Sequence, residues 1–217
     1  LFDSNSTGNH QEWGIDETVA AYNSSISSTK KNQTDSSNSD LSPKTEYIVV
    51  GIWNDGMNRH SNYFPQKVYE SLTAKEKAAI MEAKRQNQSD VFHNPINSDD
   101  YLKFIVYELR PFINKTYSTH KDPAHTVIGG SSMGGLISMY AICEYPGVFG
   151  TAACFSTHWP GIFEMKNNPI PDAMVRYFKK NMPNRINHKI LFTHGTEGLD
   201  ALYGPTQKRI DQIMAKS

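Results

Sequence analysis

The sequence predicts an α/β fold, a mostly parallel sheet with helices on both faces. Two observations carry this. Four short apolar runs, Glu46–Ile52, Thr126–Gly130, Thr151–Phe155 and Lys189–Thr193, have the length and β-branched content of buried strands. Stretches of helical periodicity separate them, and strands alternating with helices make parallel sheets joined by right-handed crossovers. The 217 residues suit one domain, spanning 1–217 and interrupted by a polar low-complexity loop at about 23–45. Lys plus Arg and Asp plus Glu both number 22, so the chain offers no net field for nucleic acid or an anionic membrane, and no apolar run is long enough to span a bilayer.

In chain order, Leu1–Trp13 is polar and reads as loop. Gly14–Tyr22 has the spacing of a short helix, with Ile15, Val19 and Tyr22 on one face and Asp16 and Glu17 in the first turn. Asn23–Lys44 is almost entirely Ser, Asn, Thr, Lys and Asp, too polar to build a core. The strand Glu46–Ile52 then runs into the turn cluster Trp53-Asn54-Asp55-Gly56, at the strand end where open α/β sheets bind ligands. Arg59, His60, Tyr63 and Phe64 follow as a polar and aromatic loop; Trp53 and Arg59 are candidates to line a pocket.

Thr73–Gln86 has helical composition. Ser98 is placed to cap a second helix, with Asp99 and Asp100 in its first turn and Leu102, Ile105, Val106, Leu109 and Ile113 along one face. Pro111 should bend or shorten it. After the strand Thr126–Gly130 a helix runs to about Tyr145, stopped by Pro146-Gly147. Thr151–Phe155 leads into Ser156-Thr157-His158-Trp159. Ile170–Asn181 reads as a helix with Pro171 in its first turn, and Lys189–Thr193 precedes a final helix from about Gly204. Cys143 and Cys154 read as buried free thiols.

The chemistry concentrates at Gly130-Ser131-Ser132-Met133-Gly134. This is a G-x-S-x-G pentapeptide between a strand and a helix, the setting of a serine nucleophile on a strained turn. Ser132 is the candidate nucleophile. The Met133 N–H, at a helix N-terminus, is the candidate oxyanion donor. A carboxylate should follow a late strand, and Asp200 is preferred over Glu197 because its longer loop can turn back toward Ser132. A histidine should come after the acid, yet none of the eight histidines follows Asp200. His158, at the carboxyl end of a strand, is with Trp159 a candidate pocket wall, or else a base out of the usual chain order. No Cys/His cluster has ligand spacing, so neither metal nor organic cofactor is expected.

The stretches IVVGIWNDGMNR, HTVIGGSSMGGLISMYA, STHWPG and HGTEGLDALYGPTQ together resemble the putative esterase (esterase D-like) family of α/β hydrolases, which includes enterochelin esterases, feruloyl esterase domains and mycolyltransferases. The resemblance implies an α/β-hydrolase fold, with Ser132 as nucleophile, the Met133 amide in the oxyanion hole and Asp200 as acid. It also implies a strand between Glu46–Ile52 and Thr126–Gly130 whose loop gives a second oxyanion amide, and a last strand followed by the catalytic histidine. Neither is found in Leu1–Ser217. The chain therefore reads as a piece of a longer protein, incomplete as a domain and expected by itself to fold poorly and turn over slowly.

A serine carboxylic ester hydrolase acting on a small-molecule or carbohydrate ester is the leading expectation. An acyltransferase of the same fold, or a non-catalytic chain that binds carbohydrate or a protein partner, are the alternatives. The N-x-S/T sequons at Asn5, Asn23, Asn32, Asn87 and Asn114 are compatible with a secreted or periplasmic protein whose signal region lies before Leu1.

Overall fold

The computed structural model describes residues 18–22 and 47–216. Two units are distinguished, Leu1–Trp53 and Asn54–Ser217. In the first, 18–22 is a short helical turn and the rings of Tyr22 and Tyr47 lie 5.5 Å apart. The start of the predicted Gly14–Tyr22 helix, with Ile15, Asp16 and Glu17, lies outside the described residues, as do residues 23–46. The strand expected over Glu46–Ile52 is not formed. Residues 47–53 have no secondary structure, and Tyr47, Ile48, Val49 and Val50 are all exposed. An apolar run becomes a strand only when a neighbouring strand takes up its N–H and C=O groups, and no ladder among the described residues includes it.

The second unit is built around a parallel sheet of β1 (Val127–Ser131), β2 (Thr151–Phe155) and β3 (Lys189–Thr193), in that order. Gly130 is in register with Cys154, and Cys154 with Phe192. Burial alternates along the strands. Ala152 and Cys154 are sealed, whereas Val127, Phe155 and Leu191 on the strands' other positions are exposed. One face is thus packed under helices, and the other is open to solvent at Val127, Phe155 and Leu191.

The packed face is covered by α6 (Met133–Glu144), which lies on β1 and β2, and by α7 (Ile170–Asn181), whose Phe178 ring meets Phe192 of β3 at 5.9 Å. α6 is apolar all round, as a helix enclosed on every side must be. Leu136, Met139, Tyr140 and Ile142 are inaccessible to solvent. Its polar tips are satisfied locally. Tyr140 donates to Asp99 at 2.5 Å, Tyr177 donates to Glu144 at 2.6 Å, and Lys67 pairs with Glu144.

The flanking helices α1 (Arg59–Tyr63), α2 (Gln66–Glu70), α3 (Ala74–Met81), α4 (Ser98–Phe104), α5 (Arg110–Thr116) and α8 (Gly204–Met214) complete the unit. Three sequence expectations are corrected here. The Thr73–Gln86 helix ends at Met81, because the chain doubles back: Arg85 N–H donates to Ser89 O and Val91 N–H to Ala83 O, across a turn with Gln88 at φ 65°. Its start is a capping box, in which Thr73 Oγ1 accepts from Glu76 N–H while Glu76 accepts from Thr73 N–H.

Ser98 does not cap its own helix. Its hydroxyl accepts from Gln66 N–H at 2.9 Å, so it caps α2, while Asn97 holds the N-cap position of α4. Pro111 does not end its helix early. The turn Ile105–Leu109 just before it is a π-turn, which joins α4 to α5, and the helical path continues to Thr116. The wider turn makes room for the proline ring and absorbs the hydrogen bond that it cannot donate.

No helix among the described residues is long and apolar enough to cross a membrane. Because α6 is enclosed on all sides, Leu136→Ala is expected to cost about 2–5 kcal/mol in urea unfolding, while Phe112→Ala, at an exposed ring, costs under about 0.5 kcal/mol.

Candidate active site

Ser132 stands between β1 and α6 with φ 60° and ψ −118°, a conformation that only strong surrounding constraints hold in a non-glycine residue. The constraints are visible. Its N–H donates to Phe155 O at the end of β2 (2.9 Å), and its C=O accepts from Gly135, Leu136 and His158 N–H groups. A Cβ on Gly130 would lie 2.8 Å from the Gly134 backbone, so the strand and helix close on each other at this point. The second close approach is at Gly135, where a Cβ would lie 2.8 Å from Thr157 Oγ1; a Cβ on Gly134 would meet nothing within 4 Å. The pentapeptide's last glycine is therefore needed for its backbone position and not for a missing side chain of its own. Met133 is buried, and its N–H is one of the first in α6, with no acceptor inside the helix.

The Tyr203 phenol is 2.9 Å from His158 Nδ1, and His158 in turn donates its backbone N–H to Ser132 O at 3.2 Å. Burial, reinforced by the charge on Asp200, raises the Tyr203 phenol above its ordinary value. His158 is buried, and its imidazole is lowered to about 4, first by burial and then by the Arg59 charge. His60, also buried, is lowered to about 3 by burial and by Arg85, whose Nη2 is 3.1 Å from His60 Nδ1. Both imidazoles are neutral at pH 7, and neither Nε2 has a hydrogen-bond partner.

Asp200 is half-buried over the carboxyl ends of β2 and β3. One of its oxygens, Oδ2, accepts from Ser156 Oγ at 2.7 Å and from Gly195 N–H at 2.6 Å. Ser156 is itself at φ 44°, directly after β2. Glu197 is exposed at the head of the turn Gly198–Leu202. Arg59 is half-buried with its guanidinium 5.6 Å from the Tyr63 ring centroid, and burial lowers its pKa.

Trp159 requires a correction. It is not a pocket wall. It is fully buried, its Nε1 donates to Gln207 Oε1 at 3.0 Å, and its ring lies 5.5 Å from Phe192. The large apolar ring fills the space beneath β3, which a side chain lining solvent could not do. Trp53, 77 % exposed, belongs to the unit Leu1–Trp53. The structure thus brings Ser132, His158 and Tyr203 together through the His158 backbone N–H and Nδ1, with the Asp200 charge acting on Tyr203. A cavity of about 630 Å³ lies elsewhere, bounded by Ile80, Arg85, Phe163 and Pro169, and none of these four groups lines it.

Tyr203 and Ser156 were not singled out by sequence. For Tyr203 the available signal is its position three residues after Asp200, which places both on one side of a tight helical turn.

Comparison with known proteins bears on this arrangement. Residues 37–207 match the family described as "Putative esterase", most of the chain and all of the groups just described. The chain belongs to the putative esterase family. It is 37 % identical over 60 residues to the uncharacterized protein YbbA of Bacillus subtilis (strain 168), a match covering 27 % of this chain and 24 % of that one. Among solved structures it is similar to the enterobactin esterase FES of Shigella flexneri (19 % identity, TM-score 0.43, 53 % of this chain and 30 % of that one). A second similarity is to the enterochelin esterase of the same organism (17 %, TM-score 0.35, 55 % and 38 %). The chain therefore spans well under half the length of each of these relatives.

Two measurements follow from the geometry. Gly130→Ala is expected to lower the melting temperature sharply, since backbone must move, whereas Gly134→Ala is neutral or raises stability by up to about 1 kcal/mol. The lowered histidines set a pH dependence. Unfolded, each titrates near 6.5, so below that pH the unfolded chain takes up protons that folded His60 and His158 refuse. Stability is full above about pH 6.5 and falls on acidification to about 4, by up to roughly 1.4 kcal/mol per pH unit for each group. Urea titrations between pH 7 and 4 check this, and His60→Gln should flatten the slope.

Proposed function

We propose that this protein is a carboxylic ester hydrolase working through an acyl-enzyme on Ser132. The observation that carries the reading is the backbone of Ser132, held at φ 60° between a strand and a buried helix. Such strain persists where it presents a side chain that the fold itself does not need. In this mechanism Ser132 Oγ attacks the ester carbonyl carbon, and the carbonyl oxygen, now an anion, accepts from Met133 N–H. Collapse of the tetrahedral species breaks the ester C–O bond, and the alcohol leaves with the serine's proton. Water then attacks the acyl carbon, releasing the carboxylic acid and restoring the hydroxyl.

The proton must be carried by a base with a pKa near the working pH. His158 is tied to Ser132 by its own backbone N–H and pairs with Tyr203, but its imidazole, lowered to about 4, holds a proton too weakly for that task. The reading gives His158 and Tyr203 the work of orienting the Ser132 hydroxyl. Asp200 has Oδ2 committed to Ser156 and Gly195, and in this reading its other oxygen orients a histidine base in the position that the family pattern implies. The substrate class is a small-molecule or carbohydrate ester, with Arg59 beside the site.

Turnover of p-nitrophenyl acetate, and labelling by a fluorophosphonate, should both depend on Ser132. Ser132→Ala is expected to lower kcat/KM to background, a loss of about 10³-fold or more in an active preparation. Asp200→Asn should cost far more than Glu197→Gln. Turnover that survives Ser132→Ala, or probe found on another residue, sinks the assignment.

A further inference from the structure

We propose that His120, Asp122 and His125 form a binding site for a divalent transition-metal ion of the zinc, nickel or copper kind. Each residue offers one ligand atom, and the three atoms all lie within 4.8 Å of one another. The two imidazoles are stacked, 4.1 Å between centroids at an interplanar angle of 19°, and the Asp122 carboxylate reaches His125 Nδ1 at 2.8 and 2.9 Å. Two imidazole nitrogens and one carboxylate oxygen are a donor set that suits these ions, whereas magnesium and calcium favour all-oxygen shells. A tetrahedral ion with metal–ligand distances of about 2.0–2.2 Å holds its donors about 3.4 Å apart, so the Asp122–His125 hydrogen bond opens and the stacked rings turn toward the ion when it binds. All three side chains are exposed, so that adjustment meets no packing, and water completes the shell.

The backbone beneath the donors is fixed, which lowers the entropy lost when an ion binds. Pro123 opens the tight turn Pro123–His125, and Thr126 closes it by donating its N–H to Pro123 O (3.0 Å) and its hydroxyl to Asp122 O (3.1 Å). Gly150 then ties the turn to the start of β2. Its N–H donates to Thr126 O at 3.1 Å, and a Cβ there would lie 2.2 Å from Pro123 O. The site sits before β1, and Ser132 follows β1. At about 3.3 Å per residue the two are some 20 Å apart along the strand. An ion here would staple together the link between α5 and β1 and would not touch the ester chemistry.

The test is calorimetric titration of the metal-free chain with Zn²⁺, followed by Co²⁺ absorption spectroscopy as a second readout of the coordinating atoms. One ion per chain is expected, displaced by neither Ca²⁺ nor Mg²⁺. His120→Ala and His125→Ala should each weaken binding by about 10- to 100-fold or more, and Asp122→Asn by about 10-fold. His93→Ala, at an exposed histidine elsewhere, should leave affinity and the Co²⁺ spectrum unchanged. Far-UV circular dichroism of each variant verifies that the fold is retained. Absence of one-to-one binding, or equal losses in His93→Ala and His125→Ala, overturns the proposal.

Discussion

The approach of Gly130 to the Gly134 backbone, which leaves no room for a Cβ, is the constraint on which the rest of the second unit depends. It forces the chain to reverse between β1 and α6 within one residue, and Ser132 absorbs the strain. Strain of this kind is of order 1–3 kcal/mol and must be offset nearby. Four backbone hydrogen bonds on Ser132 and the near-complete burial of the helix that follows supply the offset.

Around that turn, polar side chains from separate parts of the chain are held by exclusion of water as much as by hydrogen bonds. His158 comes from the loop after β2 and Tyr203 from the turn before α8, and burial keeps their pair neutral at pH 7. Asp200, one helical turn from Tyr203, remains half-buried and is stabilised by a hydroxyl and an amide. A neutral imidazole and a hydrogen-bonded carboxylate within one small region require different dielectric surroundings, and the loops after the three strands provide them.

The two ends of the sheet carry different chemistry. The carboxyl ends of the strands hold strained and buried groups, including Ser132 at φ 60° and Ser156 at φ 44°. The amino end carries an exposed turn with His120, Asp122 and His125. The strand β1 separates them.

The sequence by itself determined the strands Thr151–Phe155 and Lys189–Thr193 and the helices Ile170–Asn181 and Gly204–Met214, because local apolar periodicity and flanking Pro or Gly specify such elements without help from distant residues. It also located the turn at Ser132, since glycine spacing records a close backbone approach. Only the tertiary structure decided the rest. Tyr47–Ile52 has a strand's composition and forms none, because a ladder needs a partner that composition does not encode. Trp159 reads as a pocket residue beside His158 yet fills the core under Phe192, since neighbours on an irregular loop can face opposite ways. Pro111 breaks a regular helix but is accommodated by a π-turn. The cluster of Ser132, His158 and Tyr203 joins residues as much as 71 positions apart (203 minus 132), and only folding brings them together.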